Sequence, residues 1–107
     1  KNMMNLVVSV PEQEIILPSG FTLEQNFPNP FNPETIISFN LPAATEVSLD
    51  IISVTGELIT VLSNKQYLAG KNSVRLNMQE YNLSGGIYVY RLRTGNAVIS
   101  KKMVYLK

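Results

Sequence analysis

An all-β, antiparallel sandwich of about seven short strands is the fold this 107-residue sequence predicts, and three observations predict it. Apolar and polar residues alternate in one run after another from Thr35 to the C-terminus, the period of a strand with one buried face. Glycine, proline or asparagine separates the runs, as turns do. Helical spacing of apolar residues is nowhere sustained, and "NMQEYNLSGG" supports one turn at most, around Gln79–Asn82. Short strands at this spacing pack as two sheets face to face.

The elements follow in order. Asn2–Val10 has strand-like alternation in Leu6, Val8 and Val10, is stopped by Pro11, and leads through a connector to Pro18, Ser19 and Gly20. Residues 1–20 are read as an upstream strand or linker and residues 21–107 as the domain. In "TIISFNL" Ile37, Phe39 and Leu41 share one face, and Pro42 closes the run. In "EVSLDII" Val47, Leu49 and Ile51 alternate with Ser48 and Asp50, which predicts a half-buried strand. Gly56 turns the chain into "ELITVL", and "LAGKN" turns it again. "SVRLNM" sends Val74, Leu76 and Met78 inward, with Arg75 and Asn77 outward. "GGIYVYRLRTG" sets Ile87, Val89 and Arg91 against Tyr88, Tyr90 and Leu92. Gly95-Asn96 suits a two-residue hairpin into a final strand, "AVISKKMVYLK".

Composition narrows the chemistry. The chain has no histidine, no cysteine and a net charge of +1. The commonest general base, the usual nucleophile–base pairs and thiolate or imidazole metal sites are therefore absent. The charge balance gives no drive toward nucleic acid, and no apolar run reaches the roughly 20 residues of a membrane helix. The eight carboxylates are scattered, without a calcium-loop pattern. The residues point to a non-catalytic domain without a cofactor. Lys1 follows no initiator Met or signal-peptide pattern, as expected for the C-terminal part of a longer protein. Tyr88, Tyr90 and Tyr105 are candidates for exposed aromatics stacking on sugar rings, although alternating tyrosines in a strand also serve cross-strand packing. Gly85-Gly86 is expected to be a turn requiring positive φ.

The most distinctive stretch is "NFPNPFNPETIISF". Each proline fixes its own φ and biases the residue before it toward extended geometry. Asn26, Asn29 and Asn32 are expected to form Asx turns beside Pro28, Pro30 and Pro33, with Phe27 and Phe31 anchoring the stiff segment to the sandwich end. At the other end of the chain, Lys101, Lys102 and Lys107 are either a recognised basic signal or an edge strand guarded by lysines against unwanted pairing.

Taken together, "LEQNFPNPFNPETIISFNLP", "VTGELITVL", "LAGKNSV", "LSGGIYVYRLRTG" and "SKKMVYLK" resemble, in order, the type A C-terminal sorting domain of the type IX (Por) secretion system. The resemblance covers residues 21–107. It implies an immunoglobulin-like sandwich similar to that of flagellar hook-capping proteins. It also implies a transport role: a cargo domain upstream of residue 1 crosses the inner membrane by a separate signal and leaves through an outer-membrane translocon. A surface sortase then commonly removes the sorting domain, and the cargo is anchored or released. The motif residues carried over are Asn26, Pro28, Asn29, Pro30, Asn32 and Pro33; then Gly86, Ile87 and Tyr88; then Lys101, Lys102 and Lys107 in what looks like an unpaired terminal strand. Phe27 stands where the family often has tyrosine. Ser53-Val54-Thr55-Gly56 stands where it commonly has an aspartate before the turn glycine. Other roles in keeping with the residues are a retained adhesive module, with self-association through edge strands, and carbohydrate binding.

Overall fold

Seven strands are divided between two sheets in the computed structural model, which describes residues 18–107. They are β1 (Thr22–Leu23), β2 (Glu34–Leu41), β3 (Thr45–Ser53), β4 (Leu58–Tyr67), β5 (Gly70–Asn77), β6 (Gly86–Thr94) and β7 (Ala97–Tyr105), with one 3-10 turn at Met78–Tyr81. The strand expected over Asn2–Val10 lies outside the described residues. One sheet has the order β1-β2-β5 and the other β4-β3-β6-β7, and all pairings between these strands are antiparallel. A three-stranded sheet facing a four-stranded one in this order is an immunoglobulin-type sandwich.

The alternation read from the sequence is what fills the space between the sheets. Ile37, Phe39 and Leu41 from β2, and Val74 and Leu76 from β5, face Val47, Leu49 and Ile51 from β3 and Tyr88, Tyr90 and Leu92 from β6 in one buried cluster. A one-residue slip in any strand would send its apolar set to solvent, so this pattern also sets the register. The β6–β7 hairpin closes with Thr94 opposite Ala97. Gly95 takes φ +56 at its first loop position, which a tight hairpin requires and glycine permits. The 3-10 turn is capped by Asn77, whose side chain accepts from the Gln79 amide, and it ends on Asn82 at φ 55.

Two expectations need correction here. β3 is not half-buried, because Ser48 is 4% and Asp50 0% exposed although both face away from the core. β3 is flanked by β4 and β6, and long side chains from the neighbouring strands cover its outer face. Arg93 Nε and Arg91 Nη2 donate to Asp50 Oδ2 at 2.9 and 3.0 Å, and Thr60 donates to Oδ1 at 3.2 Å. Burial would raise the Asp50 carboxyl, but the hydrogen bonds from Arg93 and Arg91, with the Arg93 charge and the Thr60 hydroxyl, outweigh it and hold it below its ordinary value. The second correction is that Tyr88, Tyr90 and Tyr105 are not exposed: they are 6%, 0% and 2% accessible. They belong to the core, so of the two uses open to alternating tyrosines the packing one holds, and these three rings offer no sugar-stacking face.

Candidate recognition site

β7 is the terminal strand and a sheet edge. It pairs with β6 along its whole length, from Gly86 opposite Tyr105 to Thr94 opposite Ala97, so it is not the unpaired end expected from the sequence. Its other edge is where the proline–asparagine segment goes. Between β1 and β2 the chain crosses the side of the sandwich, and residues 25–31 run over the C-terminal half of β7. Gln25 Nε2 donates to the Lys102 carbonyl at 2.7 Å. The Val104 amide donates to Asn29 Oδ1 at 2.9 Å. The Phe31 amide donates to the Val104 carbonyl at 3.1 Å, and the Leu106 amide to the Phe31 carbonyl at 2.8 Å. Phe31 and Tyr105 form a parallel bridge, and their rings stack with centroids 5.4 Å apart. The clasp satisfies outward-facing backbone groups that an edge strand otherwise leaves open. Pro28 and Pro30 have no N–H, so the clasp does not itself offer a continuous new edge.

What holds the clasp is a buried network around Asn26. The Asn26 side chain donates to the Pro28 carbonyl (3.1 Å) and to Thr35 Oγ1 (3.0 Å), and Thr35 Oγ1 donates to the same carbonyl (2.8 Å). Gln25 Nε2 donates to Asn26 Oδ1 at 2.7 Å. The Tyr90 hydroxyl donates to the Glu24 carbonyl at 2.7 Å and accepts from the Asn26 amide at 2.8 Å. Burial pushes the Tyr90 hydroxyl up to about 12, against the smaller lowering effect of the Asn26 N–H. This is a different use of asparagine from the expected Asx turns. An Asx turn at Asn26 needs an amide on residue 28, which is proline, so the carboxamide donates to the Pro28 carbonyl instead. Asn29 spends its side chain on β7, 75 residues away. Asn32 is exposed, as are Pro28 and Pro30, while Pro33 is half-buried. The Pro33 carbonyl accepts from Met78 at 3.0 Å and ties the segment to the 3-10 turn. Of the two expected anchors only Phe31 is buried. Phe27 is 78% exposed and bridges β2 at Ile36 through its backbone.

The glycine pair closes the other flank. Gly86 begins β6, and Tyr88 reaches back to donate to the Ser84 carbonyl at 2.6 Å, the tyrosine-corner arrangement of immunoglobulin folds. Gly85 is needed for close approach: a Cβ there would lie 3.0 Å from the Lys107 amide nitrogen and 3.2 Å from the Tyr105 carbonyl oxygen. Lys107 Nζ donates to the Leu83 carbonyl at 3.2 Å. Gly85→Ala is therefore expected to displace the terminal residues rather than unfold the domain. Because exposed Lys107 has only to give by a few tenths of an ångström, the stability loss should stay below about 1 kcal/mol, while hydrogen exchange at the Leu106 amide accelerates. Unchanged exchange there would show that the contact does not hold the terminus.

The three sequence motifs thus meet on one strand. Gln25, Asn29 and Phe31 cover its edge with Asn26 holding them in place, Gly85 receives its end, and Lys101 and Lys102 lie on its opposite faces, as consecutive strand residues must. Lys101 shares the inner side with buried Met103, and Lys102 is exposed on the outer side. Gln25 and Thr35 are participants that the sequence does not single out, and Gly85 and Tyr90, which it marks only as a turn glycine and a candidate surface aromatic, serve here as a close-approach point and a buried hydrogen-bonding hydroxyl. The Ser53 turn also resolves: Ser53 Oγ accepts from the Glu57 amide at 3.0 Å, supplying the side-chain acceptor that an aspartate would bring to that turn. Among the described residues no helix is long and apolar enough to cross a membrane.

None of the curated proteins and none of the solved structures compared matches the chain. The family described as the secretion system C-terminal sorting domain matches residues 25–106, a span that begins at the first clasp residue and ends beside the Gly85 contact. With the sandwich, the clasp and the terminal strand in place, the chain belongs to the C-terminal sorting domains of the type IX secretion system.

Proposed function

We propose that this domain is a non-catalytic export signal whose recognised element is β7, presented in a fixed position by the proline–asparagine clasp. The family carries a C-terminal sorting role, and its members' cargo reaches the cell surface or the extracellular space. The finer reading is that the cargo passes through the periplasm, the outer-membrane translocon engages the β7 side of the sandwich, and a surface sortase acts upstream of residue 21. The observation that carries it is the convergence of all three motifs on the terminal strand, although they are separated by as much as 75 residues in sequence.

A fusion of a periplasm-targeted reporter to the domain, expressed in a type IX host, tests this. The intact fusion should appear outside the cell. The same fusion lacking Ala97–Lys107 should accumulate in the periplasm. Equal export of the two would remove β7 from the signal. A folded reporter with the domain intact that still fails to leave would exclude the sorting role.

A further inference from the structure

The clasp covers only half of the β7 edge. In an antiparallel pair the backbone groups of alternate residues point away from the partner strand. The bonds to Lys102, Val104 and Leu106 show that the even-numbered residues are the outward ones. Val98 and Ser100, and the Lys102 amide, therefore face outward as well, and among the described residues nothing bonds to them there. Lys101 and Lys102 flank this open stretch, one on each face of the sheet. Among the described residues no carboxylate lies within 4.0 Å of either lysine: the ion pairs there are Lys71 with Glu24, and Arg91 and Arg93 with Asp50. From Tyr81 to Lys107 the chain carries five basic residues and no acidic one.

We infer that Val98–Lys102 is a docking edge for an extended acidic segment of another protein, which adds as a strand beside β7. Backbone groups at Val98, Ser100 and Lys102 supply the ladder. Two adjacent acidic residues on the incoming strand necessarily point to opposite faces and so meet Lys101 and Lys102 from the two sides. This explains why two consecutive lysines, which cannot form one surface patch in a strand, are useful together. The inference deepens the export-signal reading and rests on it only for the identity of the partner as export machinery.

The test uses the full chain and a short synthetic peptide of valine and threonine with two central glutamates. By NMR-detected exchange, the peptide should protect the Val98, Ser100 and Lys102 amides. Replacing both glutamates by glutamine, or making the domain variant Lys101→Gln/Lys102→Gln, should weaken binding on the order of tenfold, the scale of two partly exposed charge pairs. N-methylation of alternate peptide amides should abolish it. Neither lysine forms an ion pair among the described residues, so thermal unfolding of the variant should match the parent and exclude misfolding as the cause. Equal binding of the glutamate and glutamine peptides, protection elsewhere, or no binding would overturn the inference. So would a variant that self-associates while binding the peptide as before, because its lysines would then only be guarding the edge. Exporting the reporter with the same variant separates the two readings. Normal export with lost peptide binding would leave the docking edge standing and detach it from sorting.

Discussion

Replacing Phe31 by alanine is expected to lower the stability of the domain by about 3–5 kcal/mol, the range for truncating a buried phenylalanine. Phe31 is 2% exposed and stacks on Tyr105, so its loss opens a cavity directly beneath the clasp. The same residue supplies both backbone bonds that fasten Val104 and Leu106. With the ring gone, those bonds lose the seat that positions them. Urea denaturation would give the stability change, and amide exchange should show Leu106 opening ahead of the core. Phe27→Ala is the matching control. Phe27 is 78% exposed, and its removal should cost no more than about 0.5 kcal/mol. Similar losses for the two variants would mean that the burial difference does not govern the clasp.

Tyr90→Phe removes one oxygen and leaves two backbone groups, the part-buried Glu24 carbonyl and the buried Asn26 amide, without their partner. An unsatisfied buried group costs about 1–3 kcal/mol, and a net loss of about 2–3 kcal/mol is expected because the phenyl ring keeps its packing. The pH dependence provides a second readout. An ordinary tyrosine titrates near about 10, whereas burial pushes Tyr90 up to about 12. The folded state therefore holds a proton that the unfolded chain releases between those values. The Tyr90 contribution is full below about pH 10 and is lost as the pH rises toward about 12. Denaturant titrations of parent and variant should converge across that window. Tyr81 and Tyr88 are also raised by burial, but both remain in the variant, so the difference between the curves isolates Tyr90. A constant gap at all pH values would mean that Tyr90 does not titrate with unfolding.

Much of the fold was legible because strand alternation is local. Ile37, Phe39 and Leu41, or Val74, Leu76 and Met78, are assigned to one face by spacing alone, and each set is buried. The single turn around Gln79–Asn82 and the Gly95-Asn96 hairpin were legible for the same reason: a turn residue acts on its own backbone. Asp50 was not. Its burial depends on β3 lying between β4 and β6 and on arginines 41 and 43 residues away, and no window of alternation contains that information. The tyrosines were left open for a different reason. Alternation separates Tyr88 and Tyr90 from Ile87 and Val89, but it does not say which face is the core when both are apolar.

The proline–asparagine segment divides along the same line. By itself the sequence determined that this stretch is stiff and that it precedes the first long strand. Only the tertiary structure decided that Asn26 is a buried hub, that Asn29 binds the terminal strand, and that Phe31 is seated while Phe27 is not. Stiffness is a property of proline rings and neighbouring torsions, and those are present in the chain wherever it goes. Partnership is a property of edges: the segment finds β7 only because the order β4-β3-β6-β7 leaves the last strand with one side unpaired, and an unpaired row of backbone groups beside a buried aromatic is where such a segment can bond.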